Sequence, residues 1–194
     1  MKSYLSAVVL ALLLVACSGI PLRSMPRLMA LQTELLQTNP AEFMLAIQVD
    51  SRMAPAAGAV PVMSLAIRPR EPGAFETIER KLPMHLDIAP AAKLGLTPVA
   101  ADRRWLIYSF PPESQAELSR IQTFFKNLRA RDNGKNGGSI AVGISQENLA
   151  AHDPTLRETR WESWLQTSRK DGFFELWTGT LEKLLQQAKA PKNA

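Results

Sequence analysis

The sequence predicts an α+β domain with an early, mainly antiparallel sheet, one strand-helix-strand crossover, and a C-terminal helical pair packed on the sheet. Three observations support this prediction. Apolar residues form short runs and alternations before residue 110, they recur at helical spacing over 113–131, and they do so again after Asp153. The chain has 194 residues, and we expect its single domain to cover 27–190.

The first predicted element is a helix over 27–37, where leucines recur at helical spacing before Asn39-Pro40 ends the pattern. The spaced residues are Leu28, Leu31 and Leu35. An apolar stripe of this width is typical of a helix packed on its own domain, and a helix lying on lipid is the alternative. Two apolar runs, 43–49 and 60–67, then predict a pair of neighbouring strands joined by a loop.

A further strand region covers 75–88, where apolar and polar residues alternate in the second half. The predicted buried face holds Leu82, Met84, Leu86 and Ile88. The opposite, solvent-facing side holds His85 and Asp87. Residues 105–110 are predicted to form the next strand, because aromatic and β-branched side chains are concentrated there.

A helix over 113–131 is predicted from apolar residues at helical spacing, namely Leu118, Ile121, Phe125 and Leu128. After a glycine-rich connection, the apolar run 140–144 is expected to be a strand covered on both faces. Strand, helix and strand in this order predict a right-handed crossover, which places one parallel pair in the sheet.

The C-terminal part is predicted to be a pair of helices. The dipeptide Asp153-Pro154 is typical of a helix start, and Asp171-Gly172 ends the first helix. Its apolar face holds Trp161, Trp164 and Leu165. A second helix is predicted over 173–189 with Gly179 inside it, and 191–194 form a loose tail.

The tryptophans admit two interpretations. They are Trp105, Trp161, Trp164 and Trp177. Exposed aromatic rings can stack on sugar faces or anchor a protein partner. Because the last three share faces with other apolar residues at helical spacing, and Trp105 has apolar neighbours in its strand, we favour packing in the core.

The N-terminal segment carries the most informative motif. Lys2 precedes an apolar stretch over 5–16, which is shorter than the roughly 20 residues that span a bilayer. The stretch leads to the single cysteine, and Leu14-Val15-Ala16-Cys17 resembles the lipobox of bacterial lipoprotein precursors. The resemblance implies a signal peptide, 1–16, that is removed, and a diacylglyceryl group on the Cys17 sulfur. In many bacteria a further acyl chain, such as palmitate, is added to the amino group of this cysteine. An ordinary cleaved signal with a nearby cysteine is the alternative.

The same resemblance implies a location. An aspartate after the cysteine often retains such lipoproteins at the inner membrane, and this chain has Ser18 there, which implies sorting to the outer membrane. Two lipid chains give stable anchoring without a spanning helix. We therefore expect a lipid-anchored protein at the cell outer membrane, facing the periplasm. Residues 17–26 are expected to be the lipidated N-terminus and its tether, since Pro21 and Pro26 interrupt them.

Charge and composition exclude several classes of protein. Removal of Lys2 with the signal peptide leaves 22 of the 23 basic residues against 18 acidic ones, with no block of like charges. This pattern does not support nucleic-acid binding. With two histidines, and with its only thiol committed to lipid, the mature chain is expected to hold neither a metal site nor a cofactor. The sequence identifies no small-molecule ligand.

Candidate catalytic residues are few. His85 and Asp87 lie two residues apart on one strand face, and we favour the polar face of an edge strand over a catalytic pair. The triplet His152-Asp153-Pro154 is typical of a helix start. An enzyme would depend on carboxylates such as Asp87, Glu113 or Glu147, which the sequence alone does not bring together.

These observations predict a lipid-anchored periplasmic lipoprotein that acts as a non-catalytic binding or assembly accessory of a bacterial envelope complex. Its partners would be the membrane, through the Cys17 lipid, and an envelope protein. The alternative is a membrane-anchored enzyme or binding protein that acts on cell-wall glycan or peptide. A third hypothesis is a small lipoprotein of the secretion-system type, whose β-sandwich is held at the outer membrane. The first half of the chain suits this hypothesis, and the predicted helical second half departs from it.

Overall fold

The computed structural model describes residues 20–55, 58–88, 90–97, 100–132, 137–146 and 154–189. Helices and antiparallel sheets are combined in this part of the chain, so the α+β prediction is confirmed. The helices are α1 (Met25–Leu35), α2 (Pro112–Asp132) and α3 (Leu181–Lys189). The strands are β1 (Met44–Asp50), β2 (Val62–Pro69), β3 (Ile78–Pro83), β4 (His85–Asp87), β5 (Arg103–Ser109), β6 (Gly138–Ser145), β7 (Arg160–Gln166) and β8 (Phe174–Thr180).

The strands form two sheets. The five-stranded sheet has the order β4-β5-β1-β7-β8, and the three-stranded sheet has the order β3-β2-β6. All strand pairs between the described residues are antiparallel. In the centre of the larger sheet, Ile47 of β1 lies opposite Leu106 of β5 and Ser163 of β7. This register places alternate residues of each strand on the same face.

One hydrophobic core joins the inner faces of both sheets with all three helices. Alternate residues of the central strands supply its middle, namely Leu45, Ile47 and Val49 from β1 and Met63, Leu65 and Ile67 from β2. Leu31 and Leu35 of α1 are buried in the same core, which confirms that the first helix packs on the domain. The rings of Phe43 and Phe110, both fully buried, stack at the ends of β1 and β5 with centroids 4.8 Å apart.

The predicted pairing of 43–49 with 60–67 is wrong, although both segments contain strands. β1 and β2 lie in different sheets, and β1 has β5 and β7 as its two neighbours. Alternation of apolar residues identifies a strand and its buried face but does not choose the partner. The segment between the two strands therefore carries the chain from one sheet to the other instead of closing a hairpin.

The predicted strand-helix-strand crossover is also wrong. β5 and β6 flank α2 as expected, but they belong to different sheets and form no parallel pair. The segment 140–144 was expected to be covered on both faces, yet β6 is an edge strand with one exposed side. Its outward residues include Ala141 and Gly143, and because neither has a polar side chain, the alternation between exposed and buried positions is hidden in the sequence.

The predicted C-terminal helical pair is replaced by a strand pair followed by one helix. β7 and β8 pair antiparallel, and within the described residues 154–189 the helical segments are α3 and a short 3-10 turn, Pro154–Leu156. The register shifts beside Trp164, so Phe174 and Trp177 enter the core three residues apart. The predicted helical face of Trp161, Trp164 and Leu165 is also wrong, because Trp161 and Leu165 lie in the main core whereas Trp164 packs on the opposite face of β7. The high content of aromatic residues and threonine is the feature that favours strands here.

Gly179 lies in β8 instead of a helix, and it permits close packing of an aromatic ring. A Cβ atom at position 179 would lie 2.5 Å from the Trp177 ring. We expect Gly179→Ala to lower the free energy of unfolding by about 1 to 3 kcal/mol, because the ring must move within a filled core. Urea denaturation measures this change. The matched control is Gly143→Ala, whose added Cβ meets no atom within 4 Å. Equal loss of stability in both variants would contradict this explanation.

Residues 22–26, which were predicted to belong to the tether, form regular structure that contacts the domain. A short 3-10 turn, Leu22–Ser24, runs directly into α1. The Arg23 guanidinium forms an ion pair with Glu175 of β8, whose side chain is buried. Ser24 is buried as well. These contacts fix the start of α1 against the β8 edge of the five-stranded sheet.

Candidate functional site

The candidate site is the outer edge of the five-stranded sheet formed by β4, which we call the β4 edge (residues 85–88 with Ser109). β4 follows β3 after a single residue, Met84, yet the two strands belong to different sheets. Met84 is buried, and its N–H donates to the Pro61 carbonyl at 2.9 Å. This bond holds the chain at the point where it passes from one sheet to the other.

The change of sheet exposes two side chains that were predicted to be buried. Leu86 is 50% exposed and Ile88 is 96% exposed, whereas Leu82 and Met84 are buried as expected. Apolar and polar residues continue to alternate through β4. However, β4 is the edge strand of its sheet, so side chains on its inner face lie beyond the core. The β4 edge therefore exposes the apolar side chains of Leu86 and Ile88 to solvent next to the unpaired side of the strand.

The other face of β4 carries a small polar cluster. His85 lies opposite Ser109 of β5, and Asp87 lies two residues further along on the same face. The Ser109 hydroxyl donates to Asp87 Oδ2 at 3.2 Å and lies 3.3 Å from His85 Nε2. The predicted juxtaposition of His85 and Asp87 on an edge strand is confirmed. Ser109 is the member of the cluster that sequence reasoning missed.

The order of these three groups decides their chemistry. In a serine-hydrolase triad the imidazole lies between hydroxyl and carboxylate, so that it accepts the serine proton. Here the hydroxyl of Ser109 lies between His85 and Asp87, and its single proton is engaged by the carboxylate. The cluster therefore orients side chains along the edge and does not activate a nucleophile.

The remaining candidate residues do not assemble with this cluster in the described part of the chain. Glu113 is exposed in the first turn of α2. Glu147, His152 and Asp153 lie outside the described residues, as do the lipobox cysteine and Ser18. Within the described ranges, no group of three or more histidine, cysteine, aspartate or glutamate side chains is arranged to hold a metal ion.

Two adjoining cavities of about 450 and 120 Å³ lie between α1, α2 and β6. Their shared wall includes Leu36, Phe125 and Arg129, and neither lining contains a carboxylate. Gln122, at the larger cavity, donates to the carbonyls of Leu35 at 2.8 Å and Thr38 at 2.7 Å. This amide therefore closes the C-terminal end of α1. The cavities do not provide the paired carboxylates that glycoside hydrolysis requires.

The tryptophans divide between two clusters. Trp161 and Trp177 are buried in the main core, as predicted. Trp105 and Trp164 are only half-buried, on the outer face of the five-stranded sheet, and pack edge to face with centroids 6.4 Å apart. The Trp105 indole donates to the Thr97 carbonyl at 3.0 Å. A small satellite core holds this pair, so the rings are engaged with protein and do not form an open platform for sugars.

The far end of β1 is fixed by an ion pair. Arg52 donates to both carboxylate oxygens of Asp50 at 2.9 Å, and its backbone N–H adds a third bond of 2.9 Å. The side-chain bond from Arg52 is the main cause that lowers the pKa of Asp50 to about 2. Asp50 is consequently ionised at any physiological pH, and it offers no proton for acid catalysis.

Ser109 could have been found from the sequence, because its outward direction follows from alternation with the buried Tyr108. The exposure of Leu86 and Ile88 could not have been predicted from the sequence, since it depends on which sheet contains β4.

Among the described residues, no helix is both long and apolar enough to cross a bilayer. Comparison with known proteins finds no matching family model, no matching curated protein and no matching solved structure.

Proposed function

We propose that this chain is a lipid-anchored lipoprotein of the bacterial outer membrane, which faces the periplasm and binds a protein partner as a non-catalytic accessory of an envelope complex. The lipobox Leu14-Val15-Ala16-Cys17 supports the anchor. The β4 edge supports the protein partner, and the exposure of Ile88 is the observation that carries this part of the proposal.

An edge strand that exposes apolar side chains is a favourable binding surface. Its outward backbone groups can form hydrogen bonds with a strand of another chain. Covering its apolar side chains with a partner makes the free energy of binding more favourable. The β4 edge combines both properties, because β4 is the last strand of its sheet and Leu86 and Ile88 stand beside it. The polar cluster on the other face gives such a partner hydrogen-bonding groups that fix its orientation.

The alternative of an anchored enzyme or binding protein for cell-wall glycan or peptide has weaker support in the described residues. Asp87 is engaged by Ser109, and Glu113 is exposed on α2. The two cavities are lined without carboxylates. This alternative would require a pair of acidic groups about 5 to 10 Å apart across a cleft.

A second candidate function is favoured by the correction to the C-terminal part. The helices predicted over residues 160–180 argue against a small lipoprotein of the secretion-system type. These residues instead form β7 and β8, so both halves of the chain contribute strands to a fold with two facing sheets. This candidate is a narrower form of the main proposal, and the identity of a captured partner distinguishes it.

The test compares two substitutions at one exposed position. We expect Ile88→Asp to abolish capture of an envelope protein after chemical crosslinking in intact cells and pull-down, because a carboxylate would be desolvated in the interface. Ile88→Val retains an apolar surface and should capture the same protein as the native chain. Since the side chain is almost fully exposed, both variants should keep the native free energy of unfolding within about 0.5 kcal/mol.

Equal capture by both variants would contradict a role for the β4 edge. Capture of no protein by the native chain, with glycan fragments retained instead, would favour the cell-wall alternative.

A further inference from the structure

A second exposed apolar surface lies at the start of the described chain. Leu22 is 82% exposed, Met25 41% and Met29 76%, and we call these three residues the N-terminal apolar face. The three residues are spaced three and four positions apart along the 3-10 turn and α1. Since this spacing is about one helical turn, their side chains lie on the same side of the helix. Leucines of the same helix, Leu31 and Leu35, fill the core from another side.

Contacts at the β8 edge keep this face turned outward. The ion pair of Arg23 with buried Glu175 holds the 3-10 turn against β8. Arg27 donates to the Asp171 carbonyl at 3.1 Å, and its guanidinium lies 5.3 Å from the centre of the Phe174 ring. Because both arginines are held toward the sheet, α1 cannot roll to bury Met29 without breaking these contacts.

The distance along the chain from the proposed anchor identifies the occupant of this face. Cys17 is followed by only five residues up to Leu22, and a fully extended chain of that length spans at most about 18 Å. A lipid on Cys17 would therefore keep the N-terminal apolar face close to the headgroups. Apolar side chains of interfacial helices bury about 5 to 10 Å into the boundary between headgroups and acyl chains.

We infer that the N-terminal apolar face rests in the membrane surface and orients the anchored domain. This inference rests on the proposed lipid anchor. The 3-10 turn is attached to β8, whereas β4 lies at the opposite edge of the same sheet, four strand spacings or about 19 Å away. Contact of α1 with lipid therefore directs the β4 edge away from the membrane, where a periplasmic partner reaches it.

The test uses the full lipidated protein in vesicles of phosphatidylethanolamine and phosphatidylglycerol. Cys17 is the only cysteine, so lipidation leaves no free thiol, and one added cysteine can be labelled uniquely. We introduce Met29→Cys, labelled with an environment-sensitive fluorophore, and the matched control Ile88→Cys on the opposite edge. Quenching by nitroxide-bearing lipids then reports contact between each label and the bilayer, and flotation with the vesicles reports anchoring independently.

We expect both labelled proteins to float and only the label at position 29 to show a blue shift and quenching. Adding Leu22→Glu should reduce that quenching without loss of flotation. Flotation with no quenching at position 29, or with equal quenching at both positions, would overturn the orientation and leave the anchor intact. Failure to float would overturn the lipid anchor itself and the inference that depends on it.

Discussion

Replacing Cys17 with alanine is expected to remove the protein from the outer-membrane fraction and to abolish its labelling by palmitate. The reason is that the lipobox resemblance assigns both the anchor and the processing of the precursor to this one sulfur. A chain without acyl groups would lack the lipid on which stable anchoring at the outer membrane depends in this proposal. Fractionation on a density gradient, together with metabolic labelling, measures the effect.

The matched substitution is made at the next residue. Ser18→Ala should leave both labelling and outer-membrane location unchanged, whereas Ser18→Asp should keep the label and shift the protein to the inner membrane. If Cys17→Ala remained in the outer membrane with native abundance, the lipobox interpretation would be wrong.

Phe110→Ala is expected to cause the largest loss of stability, about 3 to 5 kcal/mol. The Phe110 ring is fully buried and stacks on Phe43, so truncation removes its burial and leaves a cavity between β5 and the start of β1. A loss of this size is a large part of the total stability of a typical domain. Chemical denaturation followed by tryptophan fluorescence measures it.

The control for this prediction is Phe124→Ala on α2. Phe124 also contacts other rings, those of Phe75 and Phe125, but its side chain is 41% exposed. We expect a loss of about 1 kcal/mol, because water already reaches part of the ring. A larger loss for Phe124→Ala than for Phe110→Ala would mean that the core described here is not the stabilising one.

Elements with regular local patterns could be predicted from the sequence. α1 and α2 have leucines and phenylalanines at helical spacing, and β1, β2 and β5 concentrate apolar residues in short runs. These patterns depend on which side of a segment is buried, and that information is local. The α+β class followed from them.

The errors concern partners and irregular strands. Assignment of β1 and β2 to different sheets depends on contacts between segments far apart in the chain, which no local period encodes. In β7, apolar side chains on both faces of the strand, Trp161 and Leu165 inward and Trp164 outward, gave a strand the spacing of a helix, and the C-terminal prediction failed there. At the candidate site, too, the local pattern was predicted correctly and the feature that depends on distant contacts was not. His85 and Asp87 were placed on a common face, but the exposure of Ile88 follows from the change of sheet at Met84.

Photo-crosslinking from position 88 in intact cells tests directly whether the β4 edge binds an envelope protein. A photoreactive amino acid replaces Ile88 in the lipidated protein, and the control carries it at Leu22, which is also exposed but lies at the opposite edge of the sheet. We expect a discrete adduct with an envelope protein from position 88, absent from position 22 and lost in the Cys17→Ala background. Adducts from position 22 alone, or no protein adduct from position 88, would contradict this role of the β4 edge.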